Sequence, residues 1–283
     1  MAEIGLKDAI NAISDVVQNR PRPIREFDQI YMKTGDMVIQ SEIVANWANG
    51  RRLAFIGDGD AIGVCVAYLQ KREIDGRPIF DFGPSKITVF DFDERNVNAV
   101  RRFADKERLD TLDAELYNCL DAFPEEGRYD HFYCNPPWGA SNGGESVNVF
   151  LQRGFEAIGY RGHGLVVLAD DDELEWTKVV LANVQAFAAS RGFYVSRMQR
   201  KLHEYHLDDA PTLRSCNLFL SSVPGAKVEF GKSQAIDLAD ERLVNFYGRS
   251  QPPRVHYVRE RKGPGWGKAV EEEYSLEWME EGK

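Results

Sequence analysis

Short apolar runs alternate with longer periodic segments, and this alternation limits the fold more than any other feature of the chain. Runs typical of buried strands occupy 53–56, 86–90, 116–119, 131–134, 164–168, 193–198 and 217–221. Helical periodicity predicts helices at 62–71, 94–106, 147–158 and 173–190. Strands separated by helices form a parallel sheet that is covered on both faces. Because such sheets bind ligands at the carboxyl ends of their strands, the residues that follow each strand are the candidates for function.

The remaining segments flank this α/β region. A helix is predicted over 1–19, and it is followed by a proline-containing connector. We therefore divide the 283 residues into an N-terminal helix and connector (1–24), an α/β domain (25–224) and a C-terminal extension (225–283). The extension is richer in charge, Pro and Gly, and it contains a basic stretch at 254–268.

The composition argues against several classes of protein. A formal net charge of −10 disfavours general nucleic-acid binding, which needs a basic field, and suits a cationic substrate better. No apolar run approaches the roughly 20 residues that span a bilayer, and the N-terminus does not resemble a signal peptide. Four cysteines are spread along the chain without a CxxC pair. We therefore expect a reduced, cytoplasmic protein without a metal site or membrane association, with a homodimer as the candidate assembly.

A glycine loop follows the first predicted strand. It reads Gly57-Asp58-Gly59-Asp60 and precedes a predicted helix. Glycines let the backbone approach a ligand closely, and a helix start offers free N–H groups. In S-adenosylmethionine-type sites such a loop wraps the amino-acid end of the cofactor, and Asp58 and Asp60 would face that end and an acceptor amine. The alternative is an ordinary turn in which Asp60 caps the helix.

Three further aspartates are candidates for holding the nucleoside. Asp91 ends the second predicted strand, where a carboxylate can accept hydrogen bonds from both ribose hydroxyls. Asp93 either joins this site or caps the following helix. Asp121 follows the third strand and is placed to touch an adenine amino group, or else it is a solvated loop residue.

The segment Asn135-Pro136-Pro137-Trp138 follows the fourth predicted strand. The Asn135 side-chain carbonyl and the Pro136 backbone carbonyl can accept hydrogen bonds from an amine, and the prolines fix that geometry. Trp138 can stack on a flat base or face a cation. The motif therefore predicts transfer of a carbon group to an amine nitrogen. The alternative is a proline turn that ends the strand. A separate pair, His203 and His206, lacks the further ligands of a zinc site, so these side chains line a pocket or pack in the core.

These residues resemble a known family, the branched-chain polyamine synthases, or N4-bis(aminopropyl)spermidine synthases. The similarity runs in order from about residue 25 to 222. It includes the glycine loop and the Asn-Pro-Pro motif, together with Phe27-Asp28-Gln29, Thr34, Phe90-Asp91-Phe92-Asp93-Glu94-Arg95, Phe150-Leu151-Gln152-Arg153-Gly154 and Glu204-Tyr205. The resemblance implies a Rossmann-like class I methyltransferase fold. It also implies decarboxylated S-adenosylmethionine as aminopropyl donor and a polyamine as acceptor.

Three departures separate this chain from the family pattern. Gly59 stands where the family has Asp, and Asn135 and Trp138 stand where it has Asp and Tyr. The family's N-terminal winged-helix domain has no counterpart in these 283 residues. Fewer acids at the amine site favour a second hypothesis, in which S-adenosylmethionine methylates a planar amino group of a nucleobase (adenine or cytosine) or of glutamine. A third hypothesis is a catalytically silent homologue that acts by binding.

Overall fold

The computed structural model describes residues 6–207, 210, 212–225, 231–238, 242, 246, 254–261 and 273–279. In chain order the helices are α1 (Leu6–Asn19), α2 (Thr34–Trp47), α3 (Ile62–Lys71), α4 (Glu94–Glu107), α5 (Glu145–Ala157) and α6 (Glu175–Ser190), with a 3-10 helix at Arg25–Phe27. The strands are β1 (Arg52–Ile56), β2 (Glu73–Ile74), β3 (Arg77–Pro78), β4 (Lys86–Asp91), β5 (Leu112–Leu116), β6 (His131–Cys134), β7 (His163–Ala169), β8 (Phe193–Glu204), β9 (Arg214–Ser222), β10 (Val255–Glu260) and β11 (Tyr274–Trp278).

Seven strands form the main sheet in the order β5-β4-β1-β6-β7-β9-β8. The five strands from β5 to β7 are parallel, as the alternation of strands and helices predicts. Strand β9 runs antiparallel between β7 and β8, because only a short connection separates it from β8 and such a connection cannot cross over the sheet. Since β1, β4 and β6 are neighbours, their carboxyl ends bring the glycine loop, Asp91 and Asn135 to one edge.

The third predicted strand is misplaced in the sequence interpretation. Strand β5 covers Leu112–Leu116, whereas the apolar run at 116–119 predicted a strand there. Burial explains the difference: Leu112 and Ala114 face the core while Asp113 between them is exposed, which is the alternation of an edge strand. The apolar residues beyond it form a loop that reaches the ligand-binding edge, and Tyr117 and Cys119 line the cavity there.

The C-terminal extension packs on the α/β domain through a two-stranded hairpin of β10 and β11. The backbone N–H of Val258 donates to the carbonyl of Phe92 at 3.2 Å, and Glu94 accepts from the backbone N–H of Glu260 at 2.9 Å. The guanidinium of Arg95 lies 5.0 Å from the ring centre of Tyr274. The second part of the predicted basic stretch, from 262 to 268, lies outside the described residues.

Among the described helices, none is both long enough and apolar enough to cross a membrane.

Candidate active site

A cavity opens at the carboxyl ends of β1, β4 and β6. Seven of the ten site residues predicted from the sequence line it: Gly57, Gly59, Asp60, Asp91, Asn135, Pro136 and Trp138. The other three, Asp58, Asp93 and Asp121, do not line it. The strand ends therefore assemble most of the predicted site, and the remaining three carboxylates have other partners.

The glycine loop turns sharply as it leaves β1. Gly57 has a φ of +78°, a conformation that side chains other than glycine rarely adopt, and its N–H donates to the carbonyl of Phe90 at 2.7 Å. Gly59 needs no such freedom. A Cβ atom at this position would meet only the Tyr31 ring, at 3.9 Å, which is an ordinary contact. Gly57 thus shapes the loop, whereas Gly59 leaves open space beside the cavity.

Asp58 caps α3. One carboxylate oxygen accepts from the N–H of Ile62 and the other from the N–H of Gly63, both at 2.8 Å. The sequence interpretation gave this alternative role to Asp60, and that was wrong because Ala61, at a φ of +60°, inserts a left-handed step before the helix begins. Burial raises the pKa of Asp58 well above its usual range, although the two N–H groups oppose that rise.

Asp60 faces the cavity and is tied to both of its walls. One oxygen accepts from the backbone N–H of Met32 at 2.7 Å, and the other accepts from the Asn135 side-chain amide at 2.7 Å. Burial raises the pKa of Asp60, while the Met32 N–H, the charge of Arg20 and the Asn135 amide act in the opposite direction. A carboxyl group whose pKa lies above its usual value is a better proton acceptor than an exposed aspartate.

The bond to Asp60 also orients the Asn135 side chain. A carboxylate can only accept, so the Asn135 nitrogen must point to Asp60. Its carbonyl oxygen therefore points elsewhere and is the atom suited to accept from an amine. Trp138 is 9% exposed and packs edge-on against Tyr205, with ring centres 5.2 Å apart and an interplanar angle of 86°. This aromatic pair forms a wall of the cavity next to Asn135.

Asp91 presents a buried carboxylate at the end of β4. One oxygen accepts from the N–H of Asp93 at 2.8 Å, and the other accepts from the N–H of Asp58 and the amide of Asn96 at 3.3 Å each. Burial raises the pKa of Asp91 to about 6, and the charge of Asp93 adds to the rise. Asp91 lines the cavity, and its binding of the ribose hydroxyls stays a prediction.

Asp93 and Asp121 are structural in their contacts. Asp93 is fully buried, caps α4 by accepting from the N–H of Arg95 at 3.0 Å, and pairs with the same guanidinium at 2.6 Å. Of its two predicted roles, the cap is the one that the contacts support. Asp121 accepts from His256 at 2.8 Å and Tyr257 at 3.1 Å in the C-terminal hairpin, so the structure does not bring it to the cavity.

Several lining residues were missed when the motifs were read one at a time. They are mostly aromatic and come from segments far apart in the chain: Phe27, Tyr31, Phe92, Tyr117, Phe150 and Tyr205. Four of these lie in the stretches that carry the family resemblance, which is the signal that could have found them. Tyr31 carries no such signal. Its hydroxyl donates to the carbonyl of Pro21 at 2.8 Å, and Arg20 stacks over its ring at 4.2 Å.

Among the described residues, the charged side chains that line the cavity are all acidic. Three carboxylates line it, those of Asp28, Asp60 and Asp91, and no Lys, Arg or His of the described residues does so. The nearby cation Arg20 lies behind the Tyr31 ring and donates to the backbone carbonyl of Asp60 at 3.3 Å. The site therefore favours positively charged ligands. The described residues contain no group of three or more His, Cys, Asp or Glu side chains that could hold a metal ion.

Comparison with known proteins identifies the family. The sequence profile of the branched-chain polyamine synthase A C-terminal domain matches residues 8–272. The chain belongs to this family. The N(4)-bis(aminopropyl)spermidine synthase of Thermus thermophilus is 24% identical over 192 residues, which are 66% of this chain and 50% of that protein. An uncharacterized protein of Methanocaldococcus jannaschii is 22% identical over 261 residues, 90% of this chain and 60% of the relative. The chain thus spans about half the length of the curated relatives it matches.

Solved structures show the same fold. The branched-chain polyamine synthase of Thermus thermophilus, in complex with N4-aminopropylspermidine and 5′-methylthioadenosine, superposes with a TM-score of 0.65 at 20% identity, covering 83% of this chain and 69% of that one. A Pyrococcus horikoshii protein provisionally assigned as an RNA methyltransferase superposes with a TM-score of 0.57 at 16% identity, covering 77% of this chain and 98% of that one. The predicted Rossmann-like class I methyltransferase fold is confirmed.

Proposed function

We propose that this protein transfers an aminopropyl group from decarboxylated S-adenosylmethionine to a nitrogen of a polyamine. The observation that carries this proposal is the charge of the cavity, which has three lining carboxylates and no basic side chain among the described residues. S-adenosylmethionine carries a carboxylate that would find no opposite charge there. The decarboxylated donor and a polyamine are both cationic, so both suit the site.

The donor would lie along the strand ends. Asp91 would hold the ribose hydroxyls, because its buried carboxylate faces the cavity at the end of β4. Gly57 would let the backbone approach the chain that leads to the sulfonium. The family relationship supports this arrangement, since the Thermus thermophilus synthase was solved with 5′-methylthioadenosine, the nucleoside that remains after aminopropyl transfer.

The acceptor nitrogen would attack the carbon of the aminopropyl group that is bonded to sulfur. A C–N bond forms as the C–S bond breaks, and the electron pair of that bond returns to sulfur, leaving neutral 5′-methylthioadenosine. The amine needs a free lone pair and loses a proton, and Asp60 is the proton acceptor at the site. The carbonyl of Asn135 would orient the nitrogen, since its amide nitrogen is held by Asp60.

The products of a donor comparison test this proposal. The protein is incubated with spermidine and either decarboxylated S-adenosylmethionine or S-adenosylmethionine, and the nucleoside and amine products are identified by mass spectrometry. We expect 5′-methylthioadenosine and an aminopropylated polyamine from the decarboxylated donor. Formation of S-adenosylhomocysteine from S-adenosylmethionine, without aminopropyl transfer, would refute the proposal.

A second candidate function is methylation of a planar amino group with S-adenosylmethionine. Asn135 and Trp138 favour it, because an amide can orient an aromatic amine without a base and an indole can stack on a flat ring. The same incubation decides between the two candidates when adenine, cytosine and glutamine compounds are included as acceptors. A protein that binds neither donor by calorimetry would instead be the catalytically silent homologue.

A further inference from the structure

A buried series of hydrogen bonds starts at the cavity wall and leads into the core. The Tyr205 hydroxyl lies 2.9 Å from the Ser215 hydroxyl, which lies 2.9 Å from Nδ1 of His203. Nε2 of His203 lies 2.8 Å from the side-chain oxygen of Gln40. Ser215, His203 and Gln40 are fully buried, and none of the three lines the cavity. Three core polar side chains thus lead to one hydroxyl at the site.

The hydrogen bonds of Gln40, at the core end of the series, determine which group donates in each of the other bonds. Gln40 and Asn217 pair reciprocally, and the Gln40 oxygen accepts from the Asn217 amide at 2.8 Å. Burial lowers the pKa of His203 to about 4, so the ring is neutral at pH 7. Nε2 of His203 must then donate to the Gln40 oxygen, which leaves Nδ1 to accept from Ser215. Ser215 in turn accepts from the hydroxyl of Tyr205.

Tyr205, the member of the series that lines the cavity, lies on the side of the site that is proposed to hold the acceptor. The Tyr205 ring packs edge-on against Trp138, with ring centres 5.2 Å apart. Asn135 lines the same cavity as Tyr205 and Trp138. Tyr205 therefore contacts Trp138, one of the two side chains that would face the acceptor nitrogen, and its hydroxyl is held by Ser215.

We propose that Ser215 and His203 are positioning residues for the transfer reaction, because they fix the Tyr205 hydroxyl and through the Tyr205 ring the indole of Trp138. This inference rests on the proposed function. Removal of the Ser215 hydroxyl leaves a buried phenol without its acceptor, and such a group shifts to find another partner. A small displacement of groups that orient a nucleophile slows the reaction far more than it weakens binding.

The test compares Ser215→Ala with Ser215→Thr, which keeps the hydroxyl. We expect the Ala variant to lower kcat about 10-fold or more, given how steeply rate depends on position, with the KM for the donor within about twofold. The Thr variant should stay within about twofold of the wild type. In a Tyr205→Phe background, which lacks the phenol, adding Ser215→Ala should have almost no further effect on kcat. An equal loss in the Thr and Ala variants, or full additivity with Tyr205→Phe, would overturn the proposal.

A second readout does not depend on activity. The chain has five tryptophans, so the indole N–H region of a nitrogen-15 NMR spectrum is simple, and Trp138→Phe assigns the Trp138 signal. We expect that signal to shift or broaden in Ser215→Ala and to stay in place in Ser215→Thr. If Ser215→Ala does not fold, Tyr205→Phe should give the same change in the indole signal. An unchanged signal in the variants that fold sinks the positioning role, whereas absence of aminopropyl transfer in the wild type sinks only the proposed function.

Discussion

If Asp91 holds the ribose hydroxyls, its raised pKa should make nucleoside binding depend on pH. Burial and the charge of Asp93 raise the pKa of Asp91 to about 6. Only the ionised carboxylate can accept from both ribose hydroxyls, because a protonated oxygen becomes a donor. Binding should therefore favour the ionised form, and affinity should fall as the pH falls through 6.

The size of the effect follows from the fraction of Asp91 that is ionised. With a pKa of about 6, that fraction is roughly 90% at pH 7 and roughly 10% at pH 5. If only the ionised form binds, the Kd rises about tenfold between these pH values. The suitable ligand is 5′-methylthioadenosine, because it has no charged end and does not titrate in this range. Isothermal calorimetry at several pH values measures the change.

Two variants separate Asp91 from its neighbours. Asp91→Asn should bind more weakly at pH 7, by about 1–3 kcal/mol for a lost bond to a charged group, and its affinity should no longer depend on pH. Asp60→Asn removes the other buried cavity carboxylate and should keep the tenfold dependence, since a neutral nucleoside does not engage a charge at the acceptor side. A wild-type Kd that is constant from pH 5 to pH 7, or a dependence that persists in Asp91→Asn, would show that Asp91 does not hold the ribose.

Five further substitutions, at four positions, test individual assignments. Asn135→Ala should lower turnover about 100-fold or more while nucleoside affinity stays nearly intact. Asn135→Asp should favour cationic acceptors over planar ones. Unaltered kinetics in both variants would show that the Asn-Pro-Pro-Trp motif is a structural turn. The Asp side chain of Gly59→Asp should fit beside the cavity, because a Cβ atom at this position makes only an ordinary contact. The added carboxylate should lower the KM of polyamine acceptors. A raised KM would contradict the presence of open space at this position. Asp58→Ala should lower the free energy of unfolding in urea by about 1–2 kcal/mol, the value of a helix cap, and no loss would contradict that role. Asp121→Ala should speed hydrogen exchange in β10 while leaving nucleoside affinity unchanged, and weaker nucleoside binding would restore its adenine role.

The sequence predicts the parts of the site that depend on strand ends. Asp91 ends one buried strand and Asn135 follows another, and neighbouring parallel strands bring their carboxyl ends together independently of the loop conformations. The parallel part of the sheet and most helices follow from periodicity for the same reason. The third strand was predicted at the wrong position, because the alternating apolar and polar residues of the edge strand β5 are a weaker indication of a strand than the apolar run in the loop that follows.

Other features depend on tertiary contacts that no local pattern records. Asp58 and Asp60 flank the same glycine, yet Asp58 caps α3 and Asp60 lines the cavity. The left-handed conformation of Ala61 before the helix causes this difference. The partners of Asp121 lie about 135 residues further along the chain, in the hairpin. Tyr31 reaches the cavity from a segment with no strand-end motif. Such placements come from how segments pack, and sequence spacing does not contain them.

In the proposed function the distribution of charge lets one cavity hold two cations. Asp91 would lie at the nucleoside side and Asp60 at the acceptor side, and burial raises the pKa of both carboxyls. A buried carboxylate that has only neutral hydrogen-bond donors is costly to ionise, so a cationic ligand that approaches it adds a charge–charge attraction. The hydrogen-bonded series behind Tyr205 contains no charged side chain, because His203 is neutral at pH 7. Under this proposal the lining aspartates would recognise the charge of the acceptor while the neutral network would set its geometry, and we expect separate substitutions to change the two functions.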